Sequence, residues 1–246
     1  MWNSAPAQML TMELDEAHVW RASLLQAKQE TARLRQLLTP DEQARAGRFH
    51  FQKDRDHFIV ARGILRALLG LYLKVEPGRL RFEYSSYGKP RLSKEFDGGA
   101  LRFNLSHSHE RVLYAFARGR ELGVDIEYLR QDFACEEIAR RFFSPREVAD
   151  FCSLPLSQRT EAFFHCWTRK EAYVKALGEG LSVPLDEFDV SLLPGEPAAL
   201  LSNRRRPQEV ARWSLQTLDV ASVYAAALAV EGQDWQLKYW DWPRAI

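Results

Sequence analysis

Two long stretches of helical periodicity, one on each side of a glycine-bounded junction, limit the folds open to this chain. The first is predicted over about residues 54–72, with Phe58, Ile59, Ile64, Leu65, Leu68, Leu69 and Leu71 making its apolar face. The second is predicted over about residues 160–177 and stops at Gly178 and Gly180, residues suited to the left-handed turn that ends a helix. A helix with one apolar side must bury it against another layer. Strand patterns at 80–84, 101–105 and 112–117 supply that layer before the junction. Those at 123–127, 188–192, 211–218 and 222–230 supply it after. The expected fold class is therefore α+β, with two similar lobes spanning 1–120 and 121–246 and joined near 119–123.

Local signals agree with this division. Thr39-Pro40-Asp41-Glu42 and Ser144-Pro145-Arg146-Glu147 each place a hydroxyl cap, a proline and an acid in capping-box order, so a helix is predicted to start at each. The first forty residues read as a short strand or arm followed by an amphipathic helix carrying Leu24, Leu25, Leu34, Leu37 and Leu38. Trp235, Trp240 and Trp242 read as a tail pinned to the body.

Charge narrows the function classes. Lys and Arg number 34 against 33 Asp and Glu, a net charge of +1 that argues against a dedicated nucleic-acid surface. The longest apolar run, 220–230, falls short of the ~18–20 residues a membrane span needs and contains Ser222 and Tyr224. No basic segment followed by an apolar one opens the chain, so no secretory signal is expected. Cys135, Cys152 and Cys166 show no CxxC spacing and fit free thiols in a reducing cytoplasm.

Chemistry concentrates in a few segments. In Leu122-Gly123-Val124-Asp125-Ile126-Glu127, strand alternation sends Val124 and Ile126 into a core and Asp125 and Glu127 out together on the other face. In Trp167-Thr168-Arg169-Lys170-Glu171-Ala172-Tyr173-Val174-Lys175, helix spacing puts Trp167, Glu171 and Lys175 on one stripe. Three carboxylates with Lys170 and Lys175 beside them suit a hard cation and a phosphorylated substrate. That combination points to a metal-assisted phosphoryl-type transfer. A solvated strand face and a surface ion pair are the plainer alternatives for each segment alone. Arg45, Arg48, Lys53, Arg55, Arg62 and Arg66 form a basic stretch suited to an anion. Phe103-Asn104-Leu105-Ser106-His107-Ser108-His109 has no G-x-S-x-G pattern, so a nucleophile elbow is excluded, but His107 and His109 have metal-ligand spacing and Ser106 and His107 suit a phosphate.

Read in order, these segments resemble the 4'-phosphopantetheinyl transferases of the single-chain, Sfp-like class. The matching motifs are Tyr87-Gly88-Lys89-Pro90, Phe103-Asn104-Leu105-Ser106-His107-Ser108, Gly123-Val124-Asp125-Ile126-Glu127, Arg141-Phe142-Phe143-Ser144 and the helix from Trp167 through Lys170, Glu171, Lys175, Gly178 and Gly180 to Leu181. They run in the family's order across about residues 40–185. The resemblance implies two lobes related by a pseudo-two-fold axis, with coenzyme A in the cleft between them. It implies transfer of the phosphopantetheine of coenzyme A to a serine of an apo acyl or peptidyl carrier protein, with Mg²⁺ as cofactor and adenosine 3',5'-bisphosphate as by-product. By the same resemblance Asp125, Glu127 and Glu171 hold the metal, Glu171 doubles as general base and Lys175 steadies developing charge. Lys89 and Pro90 line an adenine pocket in the first lobe. Ser106, His107, Arg45 and Arg62 meet the 3'-phosphate, and Lys170 also faces the donor. A monomer is expected, without membrane or nucleic-acid partner.

Two other classes fit part of the pattern. A metal-dependent hydrolase would use His107, His109 and Asp125. A non-catalytic module would bind coenzyme A or a carrier through a decayed site, although three retained acids argue against decay.

Overall fold

The computed structural model describes residues 2–4, 10–96, 100–130 and 133–243. The first lobe contains β1 (Asn3–Ser4), β2 (Glu16–Ser23), α1 (Lys28–Arg35), α2 (Pro40–Gly47), α3 (Gln52–Leu73), β3 (Phe82–Tyr84), β4 (Pro90–Leu92), β5 (Leu101–Ser108) and β6 (Arg111–Arg118). Then come β7 (Leu122–Tyr128), α4 (Cys135–Phe142), α5 (Pro145–Ser153), α6 (Leu156–Leu177), β8 (Phe188–Val190), β9 (Leu200–Asn203), α7 (Glu209–Arg212), β10 (Trp213–Thr217), β11 (Tyr224–Glu231) and β12 (Gln236–Asp241). The mixed α+β class is as expected.

The long helices α3 and α6 have 22 residues each and both end in a left-handed residue, Lys74 and Gly178. Each covers the outer face of a sheet, mixed under α3 and antiparallel under α6. Under α3 lies a five-stranded sheet in the order β1-β12-β2-β6-β5, and under α6 a three-stranded one in the order β10-β11-β7. Side-chain alternation then builds three cores. Val112, Tyr114 and Phe116 of β6 join Ile64, Leu65, Leu68 and Leu69 of α3. Ala225, Ala227 and Ala229 of β11 face Phe163, Ala172 and Tyr173 of α6. The inward residues Leu113, Ala115, Ala117, Val124, Ile126, Leu228 and Val230 pack the two sheets on each other. The layers are helix, sheet, sheet, helix.

Both predicted capping boxes form, at Thr39/Glu42 and Ser144/Glu147. Three differences matter. The strand predicted at 101–105 runs on to Ser108, because Ser106, His107 and Ser108 keep their pairing with β6. Residues 211 and 212 belong to α7, and the strand after them begins at Trp213. The arm near the N-terminus is a full eight-residue strand, and the tryptophan-rich tail is β12, paired parallel to β2 inside the first lobe's sheet. Between β6 and β7 the chain passes from the five-stranded sheet to the three-stranded one, and with β12 it returns to the first.

Candidate active site

The acids are brought together by a close approach of β7 to α6. At Gly123 an added Cβ would stand 2.2 Å from the Ala172 carbonyl oxygen and 2.4 Å from the Ala176 nitrogen. Only glycine lets strand and helix approach so closely. With that contact made, Leu122, Val124 and Ile126 face the inter-sheet core, and Asp125 and Glu127 meet the polar stripe of α6. Trp167, Glu171 and Lys175 on that stripe line one cleft with Asp125, Glu127, Leu105, Ser106 and His107, about 480 Å³ in volume.

Inside the cleft Lys175 Nζ donates to Asp125 Oδ1 at 2.5 Å and to Ser106 Oγ at 2.9 Å. Ser106 Oγ donates to the same Asp125 oxygen at 2.8 Å, and Ser108 Oγ donates to Glu127 Oε2 at 2.8 Å. Asp125 is 3% exposed, and its second oxygen is buried with no hydrogen-bond partner. Burial first and then the Asp125 carboxylate push Glu127 above the usual carboxylate range. Glu171 is raised by the same two causes in the same order, against the pull of Lys175. Desolvation first, and then the Lys175 ammonium, lower His107 from the ordinary imidazole value. Three acids thus share a partly desolvated space with one ammonium. Such a set calls for further positive charge.

All-oxygen donors, the unpartnered Asp125 oxygen and mutual repulsion among the acids fit a hard divalent cation such as Mg²⁺. As they stand, no three His, Cys, Asp or Glu side chains among the described residues close on a common point at bonding distance, and Lys175 supplies the cation beside Asp125.

Other predicted residues lie elsewhere. Lys170 does not face the cleft. It is fully buried and pairs with Glu147 at 2.8 Å while donating to the Leu185 and Phe188 carbonyls. Its expected donor contact is corrected to a structural one, because position 170 is turned a quarter of the helix away from 171. Arg62 is bound by Glu42 and packs over Phe82, lining a separate cavity with Arg66, Arg81 and Tyr84. Arg45 is exposed over the Phe58 ring. The Lys89 ammonium donates to the Leu122 and Ala176 carbonyls, tying the turn at 85–89 to the start of β7 and the end of α6. Pro90 opens β4 beside it, and neither lines the acid cleft. Ser106, expected at a phosphate, is engaged by Asp125 and Lys175. His109 sits in the β5–β6 turn and stacks on Tyr128 at 4.5 Å, outside the cleft, so it does not join His107 and Asp125 as a hydrolase would need. Gly123 and Ser108 were not singled out by sequence reasoning. Their place within recognised motifs was the available signal.

Comparison with known proteins supplies the family. Residues 121–229 match the 4'-phosphopantetheinyl transferase superfamily, and residues 20–118 match the 4'-phosphopantetheinyl transferase N-terminal family. The chain is 45% identical over 231 residues to the 4'-phosphopantetheinyl transferase HetI of Nostoc sp., covering 94% of each protein. The chain belongs to the 4'-phosphopantetheinyl transferases. It is also 31% identical over 166 residues to the 4'-phosphopantetheinyl transferase Sfp of Bacillus subtilis, covering 68% of this chain and 71% of that one. Holo-[acyl-carrier-protein] synthase from Thermotoga maritima overlays 46% of this chain and 63% of its own at 20% identity, with a TM-score of 0.35. As a phosphopantetheinyl transferase the chain is an enzyme, and the hydrolase and decayed-module alternatives fall away.

Proposed function

We propose that this cleft transfers the 4'-phosphopantetheine group of coenzyme A to a serine hydroxyl of an apo acyl or peptidyl carrier protein, leaving adenosine 3',5'-bisphosphate. The carrying observation is the meeting of Asp125, Glu127, Glu171 and Lys175 in one cleft at the lobe junction. Asp125, Glu127 and Glu171 would hold Mg²⁺, which supplies charge neutralisation at the pyrophosphate when bound.

The chain's own residues do the rest. Glu171 has a raised proton affinity from burial and from Asp125, which suits a group that must take the proton of the attacking serine. Lys175 sits within reach of both Asp125 and the open cleft, so its ammonium can turn to the phosphoryl oxygens as their charge develops. His107, at the exposed rim, is available to the 3'-phosphate. Lys89 keeps the Gly88 turn against the end of α6, which holds that stretch of backbone beside the lobe junction for an adenine. Arg45, exposed over Phe58, stays a basic candidate for the 3'-phosphate together with Arg48 and Lys53. Arg62 would first have to leave Glu42.

Incubation with an apo carrier, coenzyme A and Mg²⁺, followed by mass spectrometry of the carrier, tests the reading. One added phosphopantetheine that depends on Mg²⁺ is expected. An unmodified carrier with every class of apo carrier would refute it.

A further inference from the structure

The two sheets meet edge to edge at β5 and β7 without becoming one sheet. An exposed strand edge presents unpaired amides that ordinarily recruit another strand. Here two of the edge amides of β7 are met by side chains. Val124 N–H donates to Asn104 Oδ1 at 2.9 Å, and Tyr128 N–H donates to Ser108 Oγ at 3.0 Å. Beside them, Ser106 Oγ donates a hydrogen bond to the Asp125 carboxylate, and Ser108 Oγ donates one to Glu127 Oε2. Asn104, Ser106 and Ser108 alternate along β5, so one strand face carries all the rungs.

We infer that Asn104, Ser106 and Ser108 form a side-chain ladder joining the lobes, and that Ser108 and Asn104 are positioning residues for the acid pair. The chemistry of each rung supports this. Asn104 grips the amide one residue before Asp125 and so sets how far β7 can slide along β5. Ser108 accepts from the amide one residue after Glu127 and donates to the Glu127 carboxylate, so a single hydroxyl fixes both the backbone and the side-chain oxygen. Asp125 has the Lys175 ammonium as a second anchor. Glu127 has no ion-pair partner within 4 Å among the described residues, which leaves Ser108 as its one hydrogen-bond anchor there. The ladder also explains why a motif of small polar residues occupies a strand whose neighbours are apolar. Backbone pairing of β5 with β7 would hold the strands ~4.8 Å apart, whereas a side-chain rung keeps them further apart while still satisfying the amides. Outer residues that orient metal-binding side chains commonly change metal affinity by about 10–100-fold when removed.

This inference rests on the reading of Glu127 as part of the cation-binding set. The test is Mn²⁺ binding to the full-length protein with coenzyme A present, followed by electron paramagnetic resonance, for the wild type, Ser108→Ala, Ser108→Thr and Glu127→Gln. The expected result is a loss of about tenfold in Mn²⁺ affinity for Ser108→Ala, near-complete recovery in Ser108→Thr, which keeps the hydroxyl, and a loss for Glu127→Gln at least as large as for Ser108→Ala. Steady-state kinetics should show the Ser108→Ala loss in kcat with the KM for coenzyme A little changed, and circular dichroism should show a native fold. Wild-type Mn²⁺ affinity in Ser108→Ala beside a weakened Glu127→Gln would overturn the positioning role alone. Wild-type affinity in Glu127→Gln would remove the cation reading on which it stands. If Ser108→Ala proves misfolded, Asn104→Asp, which keeps the accepting oxygen, serves in its place. It should keep Mn²⁺ affinity within about threefold of wild type, and a larger loss would overturn the ladder.

Discussion

At the scale of single residues, neighbouring positions on α6 do opposite work. Glu171 faces the cleft, and the adjacent Lys170 is sealed in the second lobe's core against Glu147. Glu171→Gln is expected to lower kcat by ~10²–10⁴-fold, the usual worth of a positioned base, with the fold retained. Single-turnover transfer to an apo carrier measures it, and an unchanged rate would deny Glu171 the base role. Lys170→Met strands the Glu147 carboxylate in a dry site and should cost about 3–5 kcal/mol, read from a denaturant midpoint. A midpoint equal to wild type would show that the pair adds nothing. The sequence placed both charges on the same helix. It does not reveal which one is buried, because the decisive partner, Glu147, lies far off in the chain, where it also serves as the capping-box acid of α5.

Among the elements, the contact of β7 with α6 is the structural cause of the site. Gly123→Ala would force the strand away from Ala172 and Ala176. Such overpacking is expected to cost about 1–3 kcal/mol, together with a loss of transfer activity beyond what the stability change explains. Differential scanning calorimetry beside a transfer assay distinguishes the two, and an Ala variant with wild-type rate would show that the approach tolerates slack. Elements with strong periodicity were legible in advance: both long helices, both capping boxes and the outward acids of β7. The edge-to-edge seam was not, since it depends on Asn104, Ser106 and Ser108 meeting a strand 20 residues away, which no local pattern encodes. The phosphate clamp proved hardest to read. A row of arginines on one helix looks the same whether its partner is a ligand or, as for Arg62 and Arg66, the buried Glu42.

Across the whole molecule, the third core between the sheets makes the lobes one body, and β12 binds the chain's end into the lobe where it began. The parallel pairing of β12 beside β2 also encloses His18, which shares hydrogen bonds with Tyr72 and Glu16. Burial holds His18 down to about 4 from an ordinary 6.5, despite the opposing pull of Glu16. The folded protein thus keeps this ring neutral where the unfolded chain takes up a proton. Stability is intact above pH ~6.5 and falls as the pH drops toward ~4, by on the order of 3 kcal/mol from this residue. His18→Gln should flatten that part of the stability profile in urea titrations at stepped pH, and an unaltered slope would show that His18 does not control it. The proposed chemistry requires that the acids at the lobe junction bind a divalent ion next to coenzyme A. Calorimetric titration of Mg²⁺ into the protein saturated with coenzyme A, wild type beside Asp125→Asn, tests that most directly. One site in the wild type that is lost in the variant is the predicted result, and equal binding by the two proteins would contradict it.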